Sequence, residues 1–97
     1  MHRLLITKPA INDIKEAKNW YNKKLENLGN KFVDHVFKCF EEIQTHPFAY
    51  PNKHKHTREM YVKKFPYMII FSLEENILFI LRVFPCKTDP RKKYKNK

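Results

Sequence analysis

The sequence has a single glycine, Gly29, among its 97 residues. Loops that cradle phosphate groups need several glycines close together, so a glycine-rich nucleotide site is excluded. The two cysteines, Cys39 and Cys86, are too few for the disulfide framework of a small secreted protein. No apolar run approaches the ~20 residues that span a bilayer, and the amino-terminal run is too short for a signal peptide. We therefore expect a cytoplasmic protein that has no membrane partner.

The sequence also lacks the residue patterns of common catalytic and metal sites. Glu41 and Glu42 are adjacent and point in different directions on a predicted helix, and the other adjacent glutamate pair lies in a predicted turn, so no pair suits acid–base catalysis. His54 and His56 lie two residues apart, but no further ligand stands at metal-binding spacing nearby. We therefore expect no metal and no cofactor.

Positive charge dominates the sequence, which has a net charge of +10. Residues 1–50 hold 8 basic and 6 acidic residues, whereas residues 51–97 hold 12 basic and 4 acidic residues. A one-sided field of this strength attracts polyanions, and it favours such a partner over a role in solubility alone. The candidate anion- or target-binding residues are Lys53, Lys55, Arg58, Arg82, Arg91, Lys92 and Lys93. For the loop residues Lys53, Lys55 and Arg58 and the tail residues Arg91, Lys92 and Lys93, the alternative is that these side chains are simply solvated and bind no partner.

Two β-rich runs, 65–73 and 77–84, flank a short acidic break and predict a β-hairpin. We predict that Leu73 lies opposite Ile77 across a three-residue connection, because this register makes one face wholly apolar. That face comprises Tyr67, Ile69, Phe71, Leu73, Ile77, Phe79, Leu81 and Val83. The other face is mixed and comprises Met68, Ile70, Ser72, Leu78, Ile80 and Arg82. The apolar face needs a cover, and function is expected on the mixed face.

Two amphipathic helices can supply that cover. Residues 3–7 predict a first strand, and apolar residues at steps of three and four then predict two helices, the second of which ends at Pro47. The first stripe comprises Ala10, Ile14, Ala17, Tyr21, Leu25 and Leu28, widened by Ile11 and Trp20. The second comprises Phe32, Val33, Val36, Phe37, Phe40 and Ile43, and Cys39 is expected to be buried on this face.

The junction between the helices is predicted at Gly29, which would end the first helix in the left-handed conformation, and at Asn30, which would cap the second. Two prolines exclude regular structure from the loop 47–57, and residues 58–64 predict a further strand. The chain is therefore expected to be one α+β domain, residues 1–97, with a basic tail from about residue 85. It has an N-terminal strand, an antiparallel two-helix hairpin and a three-stranded antiparallel sheet packed on the helices.

Short motifs along almost the whole chain match one known family in order and spacing. They are Asp13-Ile14, Trp20-Tyr21, Leu28-Gly29, Phe32, Ile43 and Pro47, Arg58, Phe65-Pro66-Tyr67, Ile77, Ile80, Val83 and Asp89-Pro90. In these residues the chain resembles toxins of the ParE/RelE superfamily, from bacterial type II toxin–antitoxin pairs. The resemblance implies two helices against an antiparallel sheet. It also implies a cognate antitoxin that wraps the toxin with a partly disordered, often acidic segment, which suits the +10 charge.

The superfamily divides by mechanism. RelE-like members cleave mRNA on the ribosome, and ParE-like members poison DNA gyrase. RelE-like nucleases resemble one another in second-strand lysines, two arginines and a tail tyrosine. Here the positions of the two arginines hold Met68 and a residue near Cys86, whereas Phe65-Pro66-Tyr67 and Trp20-Tyr21 look ParE-like.

The resemblance therefore implies a toxin that acts by binding its target, with DNA gyrase as the favoured one. The alternative is a ribosome-dependent mRNA endonuclease, whose candidate catalytic residues are Lys63, Lys64, Arg82 and Tyr94, with help from Arg58. A plain basic nucleic-acid-binding module would explain the charge but not the family motifs.

Overall fold

The structure, a computed structural model, describes residues 2–54 and 56–86. The elements, in chain order, are β1 (Arg3–Ile6), α1 (Lys8–Lys24), α2 (Leu28–Thr45), a 3-10 turn (Pro47–Ala49), β2 (Asn52–His54), β3 (Thr57–Tyr61), β4 (Tyr67–Glu74) and β5 (Ile77–Pro85). The strands form one sheet in the order β1-β5-β4-β3-β2, and the two helices pack on one of its faces. This confirms the predicted α+β fold.

Two features of the sheet differ from the prediction. Strand β1 joins the sheet in parallel with β5, so the sheet is mixed, while the remaining pairs are antiparallel. Strand β2 forms in the segment predicted to be an irregular loop. That prediction was wrong because neither proline disturbs a backbone hydrogen bond. Pro47 occupies the start of the 3-10 turn, and Pro51 stands immediately before β2.

The helix junction also differs from the prediction. Helix α1 ends at Lys24, and α2 begins at Leu28 with Asn27 in the left-handed conformation, at φ 69°. Gly29 therefore lies inside the first turn of α2, and Asn30 does not cap the helix. The prediction assigned the left-handed position to the only glycine, but asparagine also enters this conformation readily.

Gly29 is required for a different reason, which is the close approach of the two helices. A Cβ atom added at Gly29 would lie 2.1 Å from the Lys18 carbonyl oxygen and 2.7 Å from the Asn22 side chain. The Gly29 N–H donates a hydrogen bond of 2.7 Å to Asn22 Oδ1. A backbone N–H and an α1 side chain thus join the helices at a point where no side chain fits.

The β4–β5 hairpin has a different register from the predicted one. Glu74 lies opposite Ile77, so the connection has two residues rather than three, and Glu75 takes a positive φ of 56°. This one-residue shift turns Leu78 and Ile80 into the core, where both are fully buried, in place of the predicted Phe79 and its neighbours.

A β-bulge restores the predicted orientation in the second half of β5. Phe71 lies opposite Ile80 and Ile70 lies opposite Arg82, so Leu81 is an extra residue in the ladder. Val83 then faces the core opposite Ile69, as predicted. The sequence pattern could not reveal the bulge, because residues 77–81 are apolar at every position and either parity satisfies a hydrophobic face.

The core lies between the helices and one face of the sheet. Most of the predicted helical stripe residues are buried, including Cys39, whereas Ile11, Trp20, Leu25 and Phe37 are exposed. The buried core residues are Ala10, Ile14, Ala17, Tyr21, Phe32, Val36, Cys39, Phe40, Ile43, Met60, Val62, Ile69, Phe71, Leu78, Ile80 and Val83. Edge-on and tilted ring contacts among Tyr21, Phe32, Phe65 and Tyr67 close one end of this core, at centroid distances of 4.8–6.0 Å.

Candidate partner-binding surfaces

Arg82, a candidate for both binding and catalysis, is held by a carboxylate of α1. Its Nε atom lies 2.7 Å from Asp13 Oδ2 and its Nη2 atom lies 2.9 Å from Asp13 Oδ1. The guanidinium also stacks over the Phe84 ring, 4.2 Å from the centroid. Hydrogen bonding to Asp13 raises the pKa of Arg82 above its ordinary value. The charge of Arg82 is thus balanced within the protein, although 42% of the side chain remains exposed.

Asp13 also accepts a backbone hydrogen bond at the edge of β5. Strand β1 pairs only with residues 77–80, and no other strand of the described residues pairs with the rest of β5 on that side. The Thr7 hydroxyl donates hydrogen bonds to the carbonyls of Ile80 and Leu81, and Asp13 Oδ2 accepts one of 2.9 Å from the Val83 N–H. The start of α1 therefore replaces the missing strand with side-chain hydrogen bonds.

A cleft of about 370 Å³ lies between α1 and the ends of β4 and β5. Its walls are rich in aromatic rings, and two carboxylates stand on the α1 side. The lining includes Asp13, Glu16, Trp20, Tyr21, Tyr67 and Cys86. Burial first, and then the nearby charges of α1, raise the pKa of Tyr67. This cleft is an acidic, aromatic depression on a protein of opposite net charge.

Trp20 is the most exposed aromatic ring of this cleft, at 53%. The Trp20 ring contacts the Tyr21 ring edge-on, with a distance of 5.0 Å between the ring centroids. The Lys24 Nζ atom lies 4.9 Å from the centroid of the Trp20 ring. The ring is therefore positioned by its neighbours while much of its surface remains open. Exposed tryptophan held in this way is a common anchor of protein–protein contacts.

The two candidate lysines lie in the turn that joins β3 to β4. Strand β3 ends at Tyr61, so the prediction that residues 58–64 form one strand was wrong. Lys64 takes a positive φ of 73°, which a continuous strand does not allow. Lys63 lies near α2, since its charge partly opposes the rise in the Cys39 pKa that burial causes. Lys63 and Arg82 thus have different neighbours, α2 for one and α1 for the other.

Arg58, the remaining described candidate of the basic segment, forms a second surface. Its Nη1 atom donates a hydrogen bond of 2.7 Å to the Tyr50 carbonyl, and its guanidinium lies 5.2 Å from the centroid of Phe48. Arg58 and Phe48 border a depression of about 310 Å³ whose lining also includes Asn52, His56, Leu73 and Glu75. Sequence reasoning missed Phe48, although an aromatic residue between two prolines, just before a basic run, was a usable signal.

The other candidates have no described side-chain position. Lys53 lies in β2. Lys55, Arg91, Lys92, Lys93 and Tyr94 lie outside the residues that the structure describes.

The sheet face opposite the helices carries side chains that alternate with the core residues. Met68 and Ile70 of β4 are half-buried there, as is Phe79 of β5, and Leu5 of β1 is 45% exposed. This is the face predicted to be mixed, but two of its predicted members, Leu78 and Ile80, lie in the core instead. Met68, at a position where RelE-like nucleases carry arginine, places an apolar group on this face.

The family model for the ParE toxin of type II toxin–antitoxin systems, parDE, matches residues 4–90. The chain belongs to this family. The fold agrees with two solved structures. A chain of the chromosomal ParDE system from P. aeruginosa is 18% identical, with a TM-score of 0.80 over 90% of this chain and 98% of that one. The isolated E. coli RelE toxin is 11% identical, with a TM-score of 0.69 over 99% and 96%. No curated protein gives a significant match.

In this ParE family toxin, several motifs that carried the resemblance meet at the α1 cleft. Asp13 and the Trp20-Tyr21 pair come from α1, Pro66-Tyr67 from the entry to β4, and Val83 from β5, and all line the same cleft. The motifs of these three elements are far apart in the sequence, and nothing in their spacing indicates that they lie together. The fold brings them together because α1 crosses the ends of both central strands.

Two further properties bear on partner classes. Within residues 2–54 and 56–86, no group of three or more metal-ligating side chains is assembled. No helix in those ranges is long and apolar enough to cross a membrane.

Proposed function

We propose that this ParE family protein inhibits DNA gyrase in the cytoplasm and that a cognate antitoxin neutralises it. The family match supports a toxin of a type II toxin–antitoxin system. The observation that favours gyrase binding over RNA cleavage is the Asp13–Arg82 pair. Of the four candidate catalytic residues of a nuclease, only Arg82 lies in a strand that the structure describes, and its guanidinium is already bound by the Asp13 carboxylate.

RNA cleavage requires three catalytic contributions at the reacting phosphate. The attacking 2′-oxygen must be deprotonated, the leaving oxygen protonated, and the developing phosphate charge offset, each by a group within hydrogen-bond reach. The guanidinium of Arg82 is already paired with the Asp13 carboxylate. The uncharged thioether of Met68 can neither transfer a proton nor offset the phosphate charge. Lys63 lies toward α2. A toxin that acts by binding needs none of these groups in one place.

The α1 cleft is the surface we assign to the target protein. Exposed tryptophan and arginine contribute much of the binding energy of protein interfaces, and Trp20 and Arg82, both partly exposed, lie at or beside this cleft. A volume of about 370 Å³ admits one or two side chains of a partner. Removal of the indole of Trp20 should therefore weaken the contact without disturbing the core.

The antitoxin is expected to bind through complementary charge. An acidic, partly disordered segment would be drawn to the half of the sequence that carries 12 basic and 4 acidic residues. Such a segment would order on binding, and the ordering would lower its affinity for a given contact area.

The test is a supercoiling assay with relaxed plasmid, DNA gyrase and the purified full-length protein. We expect inhibition of supercoiling and accumulation of cleaved plasmid. Trp20→Ala should raise the half-inhibitory concentration about tenfold or more. Phe37→Ala, which removes an exposed aromatic ring outside the cleft lining, should leave it unchanged. Addition of the protein encoded by the neighbouring reading frame should restore supercoiling.

The opposite result is equally well defined. Primer extension on mRNA from induced cells should show intact messages if gyrase is the target. Discrete cuts within translated codons, abolished by Arg82→Ala, would refute the proposal and establish ribosome-dependent cleavage. High-level expression of the folded protein without growth arrest would show that the toxin is inactive.

A further inference from the structure

The most exposed large hydrophobic side chain that the structure describes lies beside a basic segment of the chain. Phe48 is 68% exposed, and it precedes by a few residues a run of lysine, histidine and arginine from Lys53 to Arg58. No part of the proposed gyrase contact uses this residue. An aromatic ring that is open to solvent beside a basic segment suits a partner that is both planar and anionic.

The ring is fixed in place by its surroundings. Pro47 is buried and begins the 3-10 turn that carries Phe48. Arg58 stacks on Phe48 while its Nη1 atom is bonded to the Tyr50 carbonyl. Tyr50 in turn donates a hydrogen bond to the Glu42 carboxylate of α2 and contacts the buried Phe71 edge-on. The stacking surface is therefore preorganised by contacts that lead back to the core.

The adjoining depression has the chemistry of a nucleobase site. Phe48 offers a ring for stacking, and Asn52 and His56 at the rim can hydrogen-bond the edge of a base. Glu75 stands in the same lining, where its carboxylate disfavours phosphate and can accept a hydrogen bond from an N–H group of a base, such as the imide N–H of thymine or uracil. A bound strand would therefore turn its base toward Glu75 and its phosphate toward Arg58.

We propose that the surface formed by Phe48, Arg58 and the depression between them binds single-stranded nucleic acid. An unpaired base stacks on Phe48, and the phosphate of the same nucleotide contacts the guanidinium of Arg58. Duplex DNA is disfavoured at this site because its bases are already stacked on one another and present no free face. The site is separate from the α1 cleft, so this proposal does not depend on gyrase being the target.

The experiment measures fluorescence anisotropy of labelled ten-nucleotide thymidine and uridine strands, and of a duplex of the same length, with the purified full-length protein. We expect both single strands to bind more tightly than the duplex. Phe48→Ala should weaken single-strand binding about tenfold, as for other stacked bases, and Phe48→Trp should retain it. Phe37→Ala is the matched control and should bind as the wild type does.

A second variant tests the phosphate contact. Arg58→Gln should weaken binding and reduce the salt dependence of the affinity by about one ion, because one phosphate contact is lost. Circular dichroism and thermal unfolding confirm that each variant is folded. Because Phe48 is mostly exposed, its substitutions test the proposal even where Arg58→Gln is unstable.

Several outcomes would overturn the proposal. Equal affinity of wild type and Phe48→Ala for the single strands would exclude stacking on this ring. Equal loss in Phe37→Ala would show that the effect is not specific to the Phe48 ring. Binding of poly-glutamate that depends on Phe48, without binding of either oligonucleotide, would assign the surface to an acidic protein segment instead. A supercoiling assay on Phe48→Ala reports on the gyrase proposal separately.

Discussion

Gly29→Ala is expected to lower the free energy of unfolding by about 2 kcal/mol, because α1 and α2 touch at this residue. The new methyl carbon would stand 2.1 Å from the Lys18 carbonyl oxygen, a distance that only separation of the helix backbones can relieve. Overpacking of this kind costs about 1–3 kcal/mol. Distortion of the Gly29–Asn22 hydrogen bond adds about 0.5–1.5 kcal/mol, and the higher helix propensity of alanine offsets about 1 kcal/mol.

The measurement is urea denaturation and thermal unfolding of the full-length protein. A loss of about 2 kcal/mol corresponds to a fall in Tm of about 8–16 °C for a domain of this size. Asn27→Gly is the informative control, because Asn27 holds the left-handed position and glycine enters that conformation without strain. We expect Asn27→Gly to remain within about 1 kcal/mol of the wild type.

A double variant locates the origin of the loss. Asn22→Ala in the Gly29→Ala background removes the side chain that lies 2.7 Å from the added carbon, but it leaves the contact with the Lys18 carbonyl. Because Asn22→Ala also removes the acceptor of the backbone N–H at residue 29, stability should recover only a small part of the loss. An unfolding free energy of Gly29→Ala equal to or above that of the wild type would refute the close approach of the helices.

Three other predictions test the sheet, its edge and a buried thiol. Ile80→Ala should lower the free energy of unfolding by about 2–5 kcal/mol, and Phe79→Ala should lower it clearly less, since only Ile80 is fully buried. Equal losses of unfolding free energy for the two variants in urea denaturation would contradict the shifted register. Asp13→Ala should cost about 1–3 kcal/mol, because the Val83 N–H loses its acceptor, and faster hydrogen exchange of that amide checks it. Burial raises the pKa of the Cys39 thiol in the folded protein. The free energy of unfolding should therefore fall as the pH rises above about 9, because the thiol ionises first in the unfolded chain. Unfolding measured as a function of pH should show a smaller fall for Cys39→Ala.

The helices were predictable because their apolar residues recur at steps that only a helix satisfies. The steps between Ala10 and Tyr21 put one face toward the sheet, and the buried residues of α1 lie on it. The predicted apolar stripe of α1 extended too far, because Leu25 follows the last residue of the helix and is 62% exposed. Periodicity thus identified the element and its buried face but not the residue at which it stops.

The hairpin register could not be obtained in the same way. Alternation selects a register only where the two faces differ, and from Ile77 to Leu81 they do not. The turn geometry decides instead, through the positive φ of Glu75 and a bulge at Leu81. Both are properties of the backbone that the side-chain pattern does not encode.

The candidate surfaces were only partly predictable for a similar reason. The sequence identified Arg58 and Arg82 as notable cations, because charge is visible in a sequence. Their partners were not visible: Asp13 is 69 positions from Arg82, and Phe48 is set beside Arg58 by the 3-10 turn. Whether a cation is free or engaged depends on such distant neighbours.

The start of α1 also determines how the sheet can meet other chains. An exposed strand edge invites a foreign strand to pair with it, and this is a common origin of aggregation. Along residues 81–83 of β5 that route is occupied by the Thr7 hydroxyl and the Asp13 carboxylate, which hold the groups a foreign strand would need. Substitution of either side chain would leave a short length of open edge. A change that looks like the loss of one hydrogen bond would then reduce the solubility of the protein as well as its stability.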